Sequence, residues 1–498
     1  MRPEQAGSPR TSPGKGVPPF REDPLSWTSF LGRRAFDLAA IARAWKIALP
    51  PLERLARRYM VEKADPAVHG PRHEREDKLA MGLNVVRAAF AAYDRGSPAV
   101  RDAIVRLFLR KYLTPPEKRG ARRRFLEKYG TIPPAFLTIS PEGTCNLSCR
   151  DCYAASIRGG LPRLTAGEFS WVLERKEEEW GSWFTVVSGG EPFLWRDGEI
   201  DLVEIARMHP SQYFLVYTNG TLIDEELAGR LAAVGNVTPA ISVEGFEEQT
   251  DARRGHGVFR RILRAMEHLR EAGVPFGISV TANRENARLL LSDEMIDFWF
   301  GEQGALYMWL FHYMPIGRGI EVERQVPPDV RAWMWEREQE LVHERRLFVV
   351  DFWNMGPVSS GCIAAGRGGG YLYIDWHGRI YPCVFVPYWK DRVRDLVAAG
   401  KQLTDALHSD LFRGIRDWQS SYSWRRPPQV RGNEIRPCPI RDHHHVMRQL
   451  VLESGARAGH ASAEEALRDP AYADGMARYD REVAEALDPI WEREYRQP

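Results

Sequence analysis

The sequence is poor in cysteine and has no long apolar run. Six cysteines occur among 498 residues, and without an export signal they indicate a reducing cytoplasm in which free thiols can bind metal. No apolar stretch of about 18 residues is present, so a membrane span is not expected. The first residues lack the apolar core of an export signal, and we expect residues 1–24 to form a disordered leader.

A strong net charge is also missing, but the charge is unevenly distributed. The chain carries +2 overall, whereas residues 1–134 hold 27 Lys and Arg against 14 Asp and Glu. The remaining residues therefore carry −11, and the basic region suggests an anionic partner. A basic amphipathic helix over 31–49 makes the inner face of a membrane one candidate. Docking of the basic helices on the acidic remainder is the alternative, and no recognised module predicts binding to nucleic acid.

Hydrophobic periodicity divides the chain into successive regions. Residues 25–133 show helical spacing, with Pro50 and Pro51 predicted to end the first helix. Residues 134–325 alternate strands and helices, which predicts a parallel sheet with its site at the carboxyl ends of the strands. The six predicted strands are AFLTIS, FTVVS, YFLVYT, TPAIS, FGISVT and LYMWLFHYM.

Three further regions follow the strand–helix units. We expect a linker helix within 326–359, a cysteine-containing region over 360–445 and an acidic helical tail over 446–498. The segment YLYIDWHGRIYPC predicts a hairpin that turns at His377 and Gly378. The predicted fold is therefore α/β: a partial (β/α)6 TIM-like barrel with a helical N-terminal region and a small α+β C-terminal extension.

Half of the cysteines fall in one short window, GTCNLSCRDCY. Cys145, Cys149 and Cys152 have the spacing C-x3-C-x2-C, which suits three corners of a [4Fe–4S] cluster and leaves the fourth iron without a protein thiolate. Structural zinc sites favour paired C-x2-C elements with two more ligands nearby. Disulfide pairing is disfavoured by the odd number and by the absence of an export signal.

This window resembles that of the radical S-adenosylmethionine (SAM) superfamily, including the flanking CNL and CY. The sequence departs from the family at Asp151, where an aromatic residue is usual, and Tyr153 follows the third cysteine. The resemblance implies that SAM binds the open iron and is cleaved reductively to a 5′-deoxyadenosyl radical. It also implies a reductant such as flavodoxin or ferredoxin as a partner.

The segment VVSGGEPFLW at the end of the second strand predicts part of the SAM site. Gly189 and Gly190 allow close approach of the backbone to a ligand, and Glu191 can accept a hydrogen bond from an ammonium group. The resemblance implies that this segment, with Pro192, holds the amino group of SAM. Later strand ends match the family more weakly, and the candidate SAM-binding residues there are Asn219, Ser242, Glu244 (usually Asp), Arg254 and Met314.

The other three cysteines, Cys362, Cys383 and Cys438, are far apart in sequence. The pattern C-x15-G-x4-C, through Gly378, resembles the opening of the SPASM and Twitch extensions, which implies a shortened extension with one auxiliary iron–sulfur cluster. Asp442, His443, His444 or a substrate could supply a fourth ligand. Three unrelated buried cysteines, or a zinc site completed by the histidine run, remain alternatives.

The expected function is that of a radical SAM enzyme acting on an unidentified substrate. Two substrate classes are open, a peptide or protein and an apolar or lipid metabolite. A non-catalytic iron–sulfur protein, serving in electron transfer or as a scaffold on the same fold, is the alternative.

Overall fold

The described part of the N-terminal region consists of helices joined by short non-helical segments. The computed structural model describes residues 38–111 and 120–496, and the predicted leader 1–24 lies outside these ranges. The helices are α1 (Leu38–Arg57), α2 (Pro66–His69), α3 (Arg72–Arg95), α4 (Pro98–Ala103) and α5 (Gly120–Tyr129), with π-helical turns at Arg58–Glu62 and Ile104–Lys111.

The prediction that two prolines end the first helix is wrong. Helix α1 continues through Pro50 and Pro51 to Arg57. Its residues Leu49 and Ala56 are buried in one apolar cluster with residues of α3. Burial of this face outweighs the loss of backbone hydrogen bonds that proline causes inside a helix.

The rest of the described chain combines a large sheet with helices. The strands are β1 (Phe136–Ile139), β2 (Phe184–Val187), β3 (Arg196–Asp197), β4 (Ile200–Asp201), β5 (Tyr213–Thr218), β6 (Val237–Val243), β7 (Gly277–Ala282), β8 (Met308–His312), β9 (Val349–Asp351), β10 (Tyr373–Ile374), β11 (Arg379–Tyr381), β12 (Tyr388–Trp389), β13 (Asp391–Arg392) and β14 (Arg457–Ala458). The helices are α6 (Ala166–Trp180), α7 (Leu202–Met208), α8 (Glu225–Val234), α9 (Glu247–Arg254), α10 (Val258–Ala272), α11 (Ala287–Leu290), α12 (Asp293–Ile296), α13 (Pro328–Gln339), α14 (Gly356–Ser359), α15 (Val393–Ala398), α16 (Asp410–Tyr422), α17 (His444–Ser454), α18 (Ala461–Arg468) and α19 (Pro470–Glu494).

Six parallel strands form the partial barrel, as the alternation of strands and helices predicted. They pair in the order β1-β2-β5-β6-β7-β8. Side chains alternate between its two faces: Phe214 and Val216 of β5 pack with the outer helices, whereas Leu215 and Tyr217 line the interior. The carboxyl ends of all six strands therefore lie at one end of the barrel.

The C-terminal extension continues this sheet. Strand β10 pairs in parallel with β1, and β11 and β13 follow in antiparallel order. The predicted hairpin is present, because β10 and β11 are joined by a turn in which Gly378 has φ of +72°, a conformation that favours glycine. The sheet thus continues past residue 360, and at its other edge β9, which lies in the predicted linker region, pairs in parallel with β8. The domain boundaries predicted at 25, 134, 326, 360 and 446 stay predictions.

The N-terminal helices are fixed to the body by buried polar contacts. Asn84 Nδ2 donates to the carbonyl oxygens of Val342 and Leu347 at 2.9 and 2.8 Å. The buried carboxylate of Glu74 pairs with Lys78 at 2.6 Å and with Arg431 at 2.9 Å. Burial alone would raise the pKa of Glu74, but these two cations lower it below the ordinary value. None of the described helices is long and apolar enough to cross a membrane.

We predict that Glu74→Gln lowers the free energy of unfolding by about 3 kcal/mol near neutral pH, because it leaves two partly buried cations without their buried carboxylate. Urea denaturation at pH 7 measures the loss. Since the folded pKa of Glu74 is depressed, the stabilisation is lost as the pH falls through that pKa.

The matched control is Glu76→Gln, two residues along the same helix. Glu76 pairs with the exposed side chains of Arg57 and Arg72, and exposed ion pairs contribute about 0–1 kcal/mol. Equal losses from the two substitutions would contradict the importance given to the buried cluster.

Candidate active site

A large cavity lies inside the barrel and opens near the cysteine window. Its empty volume is about 1510 Å³, counting the space open to solvent at its mouth. Most of the predicted site residues line it: Cys145, Cys149, Cys152, Gly189, Gly190, Asn219, Ser242, Arg254 and Met314. Among the predicted SAM-binding residues, Glu191, Pro192 and Glu244 do not line this cavity, and neither do the predicted auxiliary ligands Cys362, Cys383 and Cys438.

Hydrogen-bond donors surround the first cysteine of the window. The backbone N–H of Leu147 lies 3.4 Å from Cys145 Sγ, and Asn219 Nδ2 lies 3.8 Å from the same sulfur. Asn219 Nδ2 also donates to Asn146 Oδ1 at 2.8 Å, so it positions the loop that carries the cysteines. Burial raises the pKa of the Cys145 thiol to about 11. A metal that binds the sulfur would displace this proton.

Two arginines that the sequence interpretation missed hold the cysteine loop. Arg253 donates from Nε to the carbonyl of Arg150 at 3.2 Å. Arg318 donates to the carbonyls of Cys149 and Ser156. Both line the cavity, so their positive charge lies where a cluster with three thiolates would add negative charge. Arg253 directly precedes the predicted Arg254, and this adjacency is the sequence signal that could have found it.

Asp151, the residue at which the sequence departs from the family, forms an ion pair. Asp151 has φ of +59° and lies 2.7 Å from Arg324 Nη1. Tyr153 lines the cavity, and its hydroxyl lies 2.6 Å from Ser188 Oγ. Tyr153 therefore supplies an aromatic ring to the wall beside the cysteine loop.

The two glycines of GGEP approach the backbone of the cysteine loop very closely. A Cβ on Gly189 would lie 2.4 Å from the carbonyl oxygen of Glu142, and one on Gly190 would lie 2.0 Å from that of Thr144. Gly190 N–H donates to the Glu142 carbonyl at 2.8 Å. The sequence predicted glycine here because a side chain would block the approach of a ligand. The structure shows a second reason, which is that the two glycines contact the backbone of the cysteine loop.

The carboxylate of Glu191 bonds to its own chain. It accepts hydrogen bonds from Thr218 Oγ1 at 2.7 Å, from Asn219 N–H at 2.8 Å and from Phe193 N–H at 3.2 Å. Burial raises its pKa to about 7. The carboxylate therefore joins the ends of β2 and β5 rather than facing the cavity, and Pro192 begins the short 3-10 turn Pro192–Leu194. The sequence pattern alone did not reveal this internal role.

The weaker candidates fall into two groups. Ser242 lines the cavity with its Oγ 3.2 Å from Ser279 Oγ, and buried Met314 lies on the same wall. Glu244 is buried and pairs with Arg254, whose Nε lies 3.1 Å from Glu244 Oε1. Because Arg254 reaches the cavity and Glu244 does not, Glu244 orients a cation that could bind a carboxylate.

The second set of cysteines lies next to the cavity, with Cys383 buried and Cys362 and Cys438 partly buried. Burial raises the pKa of Cys383, and the nearby thiols of Cys362 and Cys438 raise it further. The hydroxyl of Tyr371 lies 2.9 Å from Cys383 Sγ, and the N–H of Phe385 donates to this sulfur at 3.4 Å. Tyr371 and Phe385 both line the cavity, so they separate it from the cysteine site.

The residues suggested as a fourth ligand already have other partners. Asp442 pairs with Arg331 at 2.7 Å and with Arg441 at 2.9 Å. His443 Nε2 and His444 Nδ1 each lie 3.0 Å from a backbone carbonyl oxygen. In the ranges that the structure describes, no three His, Cys, Asp or Glu side chains are grouped so that they could hold a metal ion.

One buried cation beside these cysteines lacks partners for two of its nitrogens. Arg441 is fully buried, and its Nη1 and Nη2 have no hydrogen-bond partner among the described residues. Burial and Asp442 raise the pKa of Cys438 to about 11, whereas Arg441 acts in the opposite direction. Unpartnered N–H donors beside the Cys438 thiol fit an anionic ligand.

Comparison with known proteins decides the family. The sequence profile of the radical SAM superfamily matches residues 139–288. The mycofactocin maturase MftC of Mycobacterium tuberculosis is 30% identical over 317 residues, covering 60% of this chain and 77% of the relative. The chain belongs to the radical SAM superfamily. The AdoMet-dependent heme synthase of Methanosarcina barkeri is 27% identical over 316 residues, covering 58% of this chain and 86% of the relative.

Solved structures of this superfamily are also similar to the chain. Streptococcus suis SuiB bound to S-adenosylmethionine has a TM-score of 0.49 at 17% identity, and the match covers 60% of this chain and 71% of SuiB. As a radical SAM protein related to a maturase and a synthase, the chain is an enzyme that uses a [4Fe–4S] cluster with SAM.

We predict that Gly190→Ala sharply lowers the iron content of the anaerobically reconstituted protein, because the added Cβ would collide with the backbone of the cysteine loop. Iron and sulfide assays measure the effect, and circular dichroism monitors the fold.

Gly229→Ala is the control, because Gly229 lies inside α8 with no atom near the position of a Cβ. Alanine there should stabilise the helix by about 1 kcal/mol and leave iron unchanged. Full iron content in Gly190→Ala would contradict the importance of this close contact.

Proposed function

We propose that this radical SAM enzyme abstracts hydrogen from an apolar substrate, or from an apolar side chain of a peptide, held inside the barrel. The distribution of charge over the cavity wall is the observation that supports this proposal. The charged wall residues are Asp151, Arg253, Arg254 and Arg318, which belong to the cysteine loop or to the arginine segments beside it. The remaining wall carries the aromatic residues Phe136, Phe184, Tyr217, Trp309, Phe311, Phe352, Tyr371 and Phe385.

The chain offers distinct groups for each part of the cofactor. Cys145, Cys149 and Cys152 would hold the cluster, while the backbone at Gly189 and Gly190 and the guanidinium of Arg254 would hold the amino and carboxylate groups of SAM. When bound, a [4Fe–4S] cluster with SAM supplies reductive cleavage of a carbon–sulfur bond to methionine and a 5′-deoxyadenosyl radical. Ser242 and Met314 would contact the nucleoside part.

The protein's own contribution is to position the substrate and to exclude water. Aromatic rings pack against one another around the cavity, for example Phe311 with Phe385 at 5.8 Å and Phe352 with Tyr371 at 6.1 Å between ring centroids. Such a wall favours an apolar ligand and keeps water from a reactive intermediate. A peptide and a small apolar metabolite both meet this requirement at the point of reaction.

The second cysteine site supports an auxiliary iron–sulfur cluster held by Cys362, Cys383 and Cys438. Its support is the proximity of Cys362 and Cys438 to the buried Cys383, together with the unpartnered nitrogens of Arg441. Asp442 is held by Arg331 and Arg441, whereas the buried Nε2 of His444 has no hydrogen-bond partner among the described residues, so we propose that His444 or a substrate supplies the fourth ligand.

The external partners are also proposals. The cluster requires an electron, for which flavodoxin or ferredoxin is the expected class of donor. An anionic membrane surface stays a hypothesis for the basic N-terminal helices, and the exposed Ile47 of α1 supports it weakly. The relatives carry the names maturase and heme synthase, so kinship alone does not choose between the substrate classes.

The proposed reaction predicts that the reconstituted enzyme forms 5′-deoxyadenosine from SAM and dithionite under anaerobic conditions. Cys149→Ala should reduce the product to background, because one corner of the cluster loses its thiolate. Chromatographic quantification of 5′-deoxyadenosine makes the measurement. No product from the wild-type protein with intact clusters would contradict the proposal.

The auxiliary cluster is tested by counting iron in Cys362→Ala, Cys383→Ala and Cys438→Ala. If both sites hold a [4Fe–4S] cluster, each variant should fall from about eight to about four irons per chain. Cys149→Ala is the matched substitution at the first cysteine site, and this variant should lose the four irons of that cluster instead. Unchanged iron in all three variants would leave a single cluster.

A further inference from the structure

A tyrosine inside the barrel carries a hydroxyl group that bonds to no described residue. Tyr217 lies on β5, two residues before Asn219, and its side chain lines the cavity. This side chain is partly exposed although the barrel surrounds it. No hydrogen bond joins its hydroxyl to a described residue, and protein atoms do not fully enclose the oxygen. The hydroxyl group of Tyr217 therefore faces the cavity.

Small residues on the neighbouring strands leave room for the Tyr217 ring. The register pairs Tyr217 with Ala240 of β6. It also pairs Ser242 of β6 with Ser279 of β7. Alternate residues of a strand share a face, so Ala240 faces the interior as Ser242 and Ser279 do. Because these three side chains are short, the Tyr217 ring reaches Phe311 of β8, and the two ring centroids lie 5.6 Å apart.

The hydroxyl group of Tyr217 is neutral and available as a donor. Burial raises the pKa of Tyr217 well above its ordinary value, and the nearby Tyr307 and Tyr153 raise it further. Both of these neighbours have partners. The Tyr307 hydroxyl donates to the carbonyl oxygen of Pro239 at 2.9 Å, and the Tyr153 hydroxyl lies 2.6 Å from Ser188 Oγ. Hydroxyl donors inside proteins normally have acceptors, so the bare hydroxyl of Tyr217 points to a ligand that supplies one.

The place of Tyr217 along β5 separates it from the cysteine loop. Asn219 Nδ2 lies 3.8 Å from Cys145 Sγ, next to the expected cofactor. A strand advances about 3.3 Å per residue, so Tyr217 lies about 7 Å deeper in the barrel than Asn219. At this depth the cavity wall is aromatic, and a substrate can lie there beside the cofactor.

We propose that the hydroxyl group of Tyr217 donates a hydrogen bond to an oxygen atom of the substrate, whose apolar body lies against Phe311 and Phe352. The rings of these two phenylalanines lie 5.7 Å apart on the cavity wall. A hydroxyl, ether or carbonyl oxygen meets the requirement. This inference rests on the proposed function, because it assumes that the same cavity takes the substrate.

The consequence is a specificity rule for the substrate. An analogue of the same shape that lacks this oxygen would leave the Tyr217 hydroxyl unpartnered, and sites built around a hydrogen bond reject such analogues. The rule applies to both substrate classes of the proposed function.

The test compares two probes of nearly equal shape, 2-naphthol and 2-methylnaphthalene. Equilibrium dialysis against the anaerobically reconstituted full chain, with saturating SAM and no reductant, gives their dissociation constants. Tyr217→Phe removes only the hydroxyl group, and it should weaken 2-naphthol binding about tenfold. Binding of 2-methylnaphthalene should stay within about twofold of the wild-type value, since this probe has no oxygen to accept a hydrogen bond.

Tyr307→Phe is the matched control, because it removes a barrel hydroxyl that does not line the cavity and is bonded to Pro239 and Thr238. This variant should leave the affinity for both probes unchanged, and thermal unfolding monitors the fold of both variants. Equal losses of 2-naphthol affinity in the two variants would overturn the inference. An equal loss for both probes in Tyr217→Phe, or no saturable binding of 2-naphthol to the wild-type protein, would overturn it as well.

Omitting SAM from the dialysis separates the substrate from the cofactor. If SAM displaces 2-naphthol from the wild-type protein, Tyr217 belongs to the cofactor site and the inference is wrong. Undiminished binding in the presence of SAM is the expected result. Because dialysis without reductant does not depend on SAM cleavage, absence of 5′-deoxyadenosine would overturn the proposed function separately.

Discussion

The active site depends on the close packing of the cysteine loop against the carboxyl end of β2. Gly189 and Gly190 lie so near the loop backbone that any larger residue would collide with it. Glu191 then joins β2 to β5 by accepting hydrogen bonds from Thr218 and Asn219, and Asn219 donates to the cysteine loop. The position of the three thiols is thus set by backbone contacts and buried polar groups of neighbouring strands.

Positive charge lies next to the cysteine loop, where the cofactor is expected to bind. Arg253 and Arg318 bind carbonyl groups of the cysteine loop and place positive charge beside the thiols. Away from these residues and Asp151 and Arg254, the described cavity wall is largely aromatic. A polar cofactor and an apolar substrate are therefore expected to occupy successive parts of one cavity. Buried Arg441 repeats the pairing of cation and thiol at the second cysteine site.

The six barrel strands and the C-terminal hairpin could be predicted from the sequence because each has a local signature. The first cysteine site also has one, and it stays a prediction. Each of these signatures is contained within a few neighbouring residues. They are the alternation of apolar residues, the spacing of Cys145 to Cys152 and the turn at Gly378. Long-range partners have no such signature, so the internal bonds of Glu191 and the contacts of Arg318 were not foreseen. The course of α1 through Pro50 and Pro51 depends on packing against α3, which local propensity does not contain.

The most direct test of the account is pulsed electron paramagnetic resonance on the reduced enzyme, mixed with SAM that carries ¹⁵N in its amino group. If the cysteine loop leaves one iron open beside Gly189 and Gly190, the spectrum should show a hyperfine coupling between the cluster and the labelled nitrogen. A reduced cluster whose spectrum shows no such coupling at saturating SAM would contradict the proposed site.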